Sequence, residues 1–147
     1  MTFKKIMVAS DHGGYKLKQE LINFLKSRNI EITDGGCDSE ESVDYPIYGE
    51  KAARAVADKV CDGAIIICGS GIGISIAANR IKGVRAALCH SVDYAKISRM
   101  HNNANILALG GRFTNFDEAK KIIIAWLDTE YEGGRHEKRI KMLDEIK

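Results

Sequence analysis

The sequence predicts one Rossmann-like α/β domain, a three-layer α/β/α arrangement around a five-stranded parallel sheet, with one further helix at the C-terminus. Three observations predict it. Short apolar runs alternate five times with segments of helical period, the signature of parallel strands joined by right-handed helical crossovers. The run Ala64-Ile65-Ile66-Ile67 is apolar at every position, as a strand covered on both faces should be. It leads into Cys68 and then glycines at 69, 71 and 73, a turn that opens a helix where doubly wound sheets bind their ligands.

In order, Lys5 to Ser10 reads as the first strand, running into Asp11-His12-Gly13-Gly14. Tyr15 to Arg28 follows as a helix, because Leu17, Leu21, Phe24 and Leu25 keep one apolar face between lysines and glutamates. Ile30 to Thr33 is a short second strand, stopped by Asp34-Gly35-Gly36. A loop of acidic and small residues reaches Asp44-Tyr45-Pro46, and Tyr48 to Lys59 is alanine-rich and helical. Asp62-Gly63 precedes the third strand, Ala64 to Ile67, and Ile74 to Asn79 forms the helix after the glycine turn. Val84 to Cys89 is the fourth strand. Ser91 caps a helix to Met100 that ends at His101-Asn102-Asn103. Ile106 to Leu109 is the fifth strand, halted by Gly110-Gly111-Arg112. Asn115 caps a helix to Leu127, and Glu132-Gly133-Gly134 breaks the chain before a last helix, Arg135 to Ile146, within a C-terminal segment 134–147. No repeat or linker divides residues 1–147, so one domain is expected.

Composition limits the partners. With 147 residues, 45% hydrophobic, 29% charged and a net charge of +2, the chain has the balance of an ordinary globule rather than of a nucleic-acid or membrane-surface binder. No run is long enough for a signal-peptide core or a membrane span, which makes a cytoplasmic location the expectation. The cysteines at 37, 61, 68 and 89 lack C-x-x-C spacing and are expected as free thiols in a reducing compartment.

Candidate functional residues gather behind the strands. Asp11 and His12 follow the first strand, Asp44 and Tyr45 lie beyond the second, Cys68 to Gly73 follow the third and Arg112 follows the fifth. His101 and Asn102 end a helix instead, at the opposite edge of the fold, and need a neighbouring subunit to reach the same place. Gly69-Ser70-Gly71-Ile72-Gly73 is neither the dinucleotide fingerprint G-x-G-x-x-G nor a P-loop. A thiol-phosphatase loop would carry arginine six residues after its cysteine, where this chain has Ile74. The turn bares backbone N–H groups at a helix N-terminus, which favours an anion; a close-packing turn has the same glycines. Cys68 at its mouth suits a base or nucleophile, and equally an inert thiol that ends a strand. Arg135 and Arg139 share a helix face and suit a phosphate, or only water.

Taken together these motifs resemble the ribose-5-phosphate isomerase B family, which includes the galactose-6-phosphate isomerase subunits. The resemblance runs nearly end to end: Ser10-Asp11-His12-Gly13-Gly14, Asp44-Tyr45-Pro46, Ile67 to Ser75, Ala77-Ala78-Asn79, Ser98 to Asn102, Asn105 to Gly110, and Tyr131 to His136. It implies interconversion of ribose 5-phosphate and ribulose 5-phosphate through a cis-enediolate, a step of the pentose phosphate pathway, with no metal or organic cofactor. It also implies a homodimer, sometimes a tetramer, whose sites combine residues of two subunits, with segment 134–147 packing on the partner. By the resemblance Cys68 is the base, His101 opens the sugar ring and donates a proton, and Ser70 stabilises the enediolate with the Gly69, Gly71, Ile72 and Gly73 backbone. Asp11 holds sugar hydroxyls, Tyr45 lines the pocket, Asn102 binds substrate, and His12, Arg112, Arg135 and Arg139 surround the phosphate.

Two departures bear on these roles. Relatives often carry threonine where this chain has Ser70, and one branch replaces the cysteine by a glutamate at the position of Ser75. Cys68 and Ser75 put this chain with the cysteine users. Six-carbon 6-phosphates (allose or galactose), rare free aldoses, or a phosphosugar- or nucleotide-binding module without catalysis are the alternative readings.

Overall fold

The computed structural model describes residues 3–147. Five parallel strands, β1 (Lys5–Ser10), β2 (Glu31–Asp34), β3 (Gly63–Cys68), β4 (Ala86–Leu88) and β5 (Ile106–Gly110), lie in the order β2-β1-β3-β5-β4. The central registers pair Ser10 with Ile67 and Cys68 with Gly110, so the ends of β1, β3 and β5 finish level with one another. The chain leaves β1 toward β2 and returns on the other side to β3. That reversal puts a topological switch point between the ends of β1 and β3.

Six helices cover the sheet: α1 (Tyr15–Lys26), α2 (Tyr45–Ala57), α3 (Ile72–Asn79), α4 (Val92–Asn102), α5 (Phe116–Asp128) and α6 (Arg135–Glu145). The strands feed two cores by alternation. Ile65, Ile67, Leu107 and Leu109 face a core with Leu21, Leu25, Ile122 and Trp126, contributed by α1 and α5. Ala64, Ile66, Cys68 and Ala108 face the other, with Ala52, Ala53 and Val56 of α2 and Ile74 and Ala78 of α3. The small residues on the second side let α2 and α3 lie close to the sheet and to each other.

Several boundaries differ from the sequence reading. Helix α2 starts at Tyr45, because Pro46 sits in its first turn, where the fixed φ of proline suits a helix and no N–H is missed. Helix α3 starts two residues early, at Ile72, directly off Gly71 at φ +80. Strand β4 keeps only three of its expected six residues: Asn79 takes up both backbone groups of Ala86 from outside the sheet, and Val84 turns back to Ile81. An additional 3-10 turn, His12–Gly14, precedes α1, capped by the Asp11 carboxylate. Helix α6 lies against α4 of its own chain and buries His136 and Ile140.

Candidate active site

The glycine loop is held between two neighbours. Gly111 N–H donates to the Cys68 carbonyl at 2.8 Å and Arg112 N–H to the Gly69 carbonyl at 3.0 Å, which ties the β5 loop to the β3 loop. Asp11 N–H donates to the Ile67 carbonyl at 3.1 Å and ties in the β1 loop. Gly71 supplies the left-handed corner; a Cβ there would sit 2.5 Å from Leu88 Cδ1 and 2.9 Å from Leu109 backbone.

Within this frame Cys68 is buried, and its Sγ accepts a hydrogen bond from Gly71 N–H at 3.1 Å. The sulfur is therefore held at the start of α3, among oriented N–H dipoles. Ser70 Oγ accepts from Ile72 N–H at 3.1 Å, which leaves its O–H free to donate. The N–H groups of Gly71 and Ile72 are thus already engaged within the loop. Among the described residues those of Gly69, Ser70 and Gly73 have no acceptor, and they are the ones available to an anion.

Two side chains lie over the glycines. The Arg112 guanidinium crosses Gly69, where a Cβ would be 3.1 Å from Nη1, and the Tyr45 ring covers Gly73, where a Cβ would be 2.5 Å from Cζ. A side chain at either position would displace its neighbour. Arg112 has no carboxylate partner among the described residues. His12 Nδ1 accepts from Val43 N–H at 3.1 Å, so its neutral ring carries the proton on Nε2. His12 and Arg112 line a cleft of about 340 Å³ with Lys16 and Glu40. Asp11 Oδ1 is committed to Gly13 N–H (2.9 Å) and Gly14 N–H (3.2 Å), so only Oδ2 is open to a ligand.

The remaining candidates are elsewhere. His101 and Asn102 close α4, and the Asn102 carbonyl accepts from Arg85 Nε at 2.9 Å, just before β4. They therefore lie near the amino ends of the strands, whereas Cys68 lies at the carboxyl ends. Strand β5 alone puts about 13 Å between those two levels at ~3.3 Å per residue. Arg135 and Arg139 stand on the exposed face of α6, which packs on α4, and neither has a carboxylate partner among the described residues. One chain thus brings together Asp11, His12, Tyr45, Cys68 to Gly73 and Arg112, and separately His101, Asn102, Arg135 and Arg139.

The sequence reading passed over four residues. Lys16 reaches the cleft from one turn beyond His12, at a spacing of four that could have indicated it. Glu40 comes from the acidic loop with no such signal. His136 stacks on His101, with ring centroids 4.3 Å apart, and Glu132 Oε2 lies 3.5 Å from His136 Nε2.

Known proteins share this fold. Residues 6–143 match the family described as Ribose/Galactose Isomerase. Ribose-5-phosphate isomerase B of Escherichia coli K12 is 46% identical over 143 residues, 97% of this chain and 96% of the relative. The structure of Clostridium thermocellum ribose-5-phosphate isomerase B superposes with a TM-score of 0.95 at 52% identity, covering 96% of this chain and 95% of that one. The Thermotoga maritima ribose 5-phosphate isomerase structure gives 0.94 at 48%, covering 97% and 98%. With its sheet order, its glycine loop and a match over residues 6–143, the chain belongs to the Ribose/Galactose Isomerase family.

Proposed function

We propose that the protein is an aldose–ketose isomerase that interconverts D-ribose 5-phosphate and D-ribulose 5-phosphate, and that its working unit is a homodimer with shared sites. The observation that carries the reading is Cys68 Sγ, held by Gly71 N–H beside three unengaged N–H donors and an unpaired arginine. A base, a place for a developing oxyanion and a counter-charge for phosphate adjoin one another. Four unpaired thiols suit a reducing, cytoplasmic setting.

The reaction moves a carbonyl from C1 to C2. Cys68 takes the C2 proton, a proton passes from O2 to O1 in the resulting cis-enediolate, and Cys68 returns its proton to C1. No atom is gained or lost. The O–H of Ser70 and the N–H groups of Gly69, Ser70 and Gly73 meet the enediolate oxygens; one preorganised donor of this kind contributes about 3 kcal/mol to such a transition state. Tyr45 closes one wall and the open Asp11 oxygen binds sugar hydroxyls. His12 Nε2–H and Arg112 hold the phosphate.

Ring opening needs an acid–base group near the sugar ring oxygen, and the groups beside Cys68 in its own chain, Asp11 and His12, are assigned to the sugar hydroxyls and the phosphate. His101 supplies it from a second subunit, with Asn102 as a substrate hydrogen-bond partner and Arg135 and Arg139 completing the phosphate clamp. Apolar side chains exposed on the face beside the loop, Ile72 and Ile76 of α3 and Ile47 of α2, support that second copy.

The test is ketose formation from ribose 5-phosphate by the purified protein in chelator, beside Cys68→Ala. Turnover should fall about 10²- to 10⁴-fold in the variant, the range for loss of a positioned base, while phosphosugar binding survives. Undiminished turnover would remove Cys68 as base, and no turnover in either protein would remove the activity.

A further inference from the structure

His101 is oriented through the face of its ring. A working histidine commonly commits one ring nitrogen to a neighbour, which fixes both the tautomer and the plane. His12 follows that pattern, with Nδ1 held by Val43 N–H at 3.1 Å. Among the described residues, His101 has no hydrogen-bond or ion-pair partner at either nitrogen. The His136 ring lies against it instead, with centroids 4.3 Å apart and planes 17° from parallel. Such a stack fixes the plane of an imidazole while its in-plane nitrogens stay free for a substrate.

His136 is itself held. It is the second residue of α6 and 7% exposed, so its ring cannot follow His101 if that side chain rotates. The Glu132 carboxylate lies 3.5 Å from His136 Nε2, at the ring edge that the stack leaves open. Glu132 N–H donates to the Met100 carbonyl at 3.1 Å. The same residue thus fastens the segment before α6 to the turn of α4 that carries His101. We propose that His136, held by Glu132, is a positioning residue for ring opening, which presents the edge of His101 to the sugar ring oxygen. This role rests on the ring opening proposed for His101. It asks a flat face of His136, and of Glu132 only that it keep that face in place.

Two reactions separate this role from general support of the site. Turnover of ribose 5-phosphate needs an opened ring. Ribulose 5-phosphate has its C5 oxygen esterified and forms no furanose ring. Exchange of its C1 hydrogen with D2O therefore needs Cys68, which breaks the C–H bond and returns a deuteron from solvent, and needs no ring opening. In the intact protein, His136→Ala should lower kcat for ribose 5-phosphate about tenfold or more, since a misplacement on the order of 1 Å can cost about 10²-fold. KM should stay within about twofold, because substrate binding is not what the stack supplies. C1 exchange, read by NMR, should stay near the parental rate. His136→Phe keeps a flat ring and should bring kcat back to within about threefold of the parent. Glu132→Ala should fall between the two.

A raised KM with kcat intact would assign His136 to seating the α6 arginines. Equal losses of turnover and exchange would assign it to folding. Either result overturns the proposal, as does a His136→Phe variant no faster than His136→Ala. If His136→Ala fails to fold, Glu132→Ala decides, because that side chain is half-exposed: parental kcat there overturns the role. His101→Ala belongs in the same assay. If it loses kcat and His136→Ala does not, the positioning role alone falls. If it keeps kcat, ring opening by His101 falls and the positioning with it. A parent that neither turns over ribose 5-phosphate nor exchanges ribulose 5-phosphate would remove the isomerase reading and this role together.

Discussion

The carboxyl and amino ends of the sheet carry the two groups of candidate residues, and they are built differently. At the carboxyl end, backbone holds backbone: the loops after β1, β3 and β5 join through Asp11 N–H, Gly111 N–H and Arg112 N–H. At the amino end, side chains join the backbone bonds, such as Glu132 N–H to the Met100 carbonyl, in holding the last turn of α4. Arg85 bonds the carbonyls of Asn102 and Asn103 and pairs with Asp144 of α6 at 2.9 Å, while buried Arg99 reaches the Ala104 carbonyl at 2.6 Å. A base and an oxyanion site need fixed donors, which backbone supplies without side-chain entropy. In the proposed homodimer, a group that reaches across to another subunit can be mounted partly on side chains, because the partner surface completes its positioning.

The largest predicted effect breaks this division directly. Cys68→Ala disables one end and His101→Ala the other, so each homodimer should lose turnover about 10²-fold or more. In a mixed dimer, one of the two sites receives Cys68 from one chain and His101 from the other. Random reassortment after mild unfolding should restore about a quarter of the parental activity, since half the dimers are mixed and each has one complete site. Mixtures that remain as inactive as their components would place both groups in one chain's site and end the shared-site reading.

The carboxyl end was the more legible one in the sequence, for a physical reason. Strand termini follow from apolar runs, and parallel strands put their carboxyl ends on one edge, so Asp11, Cys68 and Arg112 could be gathered without coordinates. The engagement of the Gly71 and Ile72 N–H groups was not legible, because it depends on how Sγ and Oγ turn within the loop. The start of α2 at Tyr45 could have been read from Pro46. At the amino end, the position of His101 behind the sheet was legible from the length of α4, and its stack with His136 was not. That contact depends on how α6 lies on α4, a tertiary placement that no local period encodes.

A smaller effect sharpens what backbone holding means. Gly71→Ala puts a Cβ into Leu88 and the Leu109 backbone and forces an L-residue to φ +80. Left-handed strain and overpacking together should cost about 2–4 kcal/mol, and the displaced N–H leaves the Cys68 sulfur unsupported. Thermal unfolding should show a midpoint lowered by roughly 4–16 °C for a chain of this size, with kcat reduced in the folded fraction. A folded variant with parental kcat would mean that the Gly71 contact to Sγ is dispensable.

The smallest effect compares two thiols at similar addresses. Cys68 ends β3 and takes a backbone N–H; Cys89 directly follows β4, is fully buried, and its S–H points at the Ala87 carbonyl at 3.7 Å. Burial pushes the Cys89 thiol up to about 11 from an ordinary value of 9.0, with the Ser98 contact a lesser opposing influence. The folded protein thus binds that proton more tightly than the unfolded chain does. The resulting stabilisation is complete below pH 9 and disappears as the pH rises toward 11, with ~1 kcal/mol already lost by pH 10. Denaturant unfolding across this range should show a steeper decline for the parent than for Cys89→Ala, after the constant cost of the smaller side chain is subtracted. Burial also raises Cys61, so that thiol stays in both proteins and cancels in the comparison. Equal slopes would mean that Cys89 ionises without penalty, and strand-end position would then no longer separate a buried structural thiol from a candidate base.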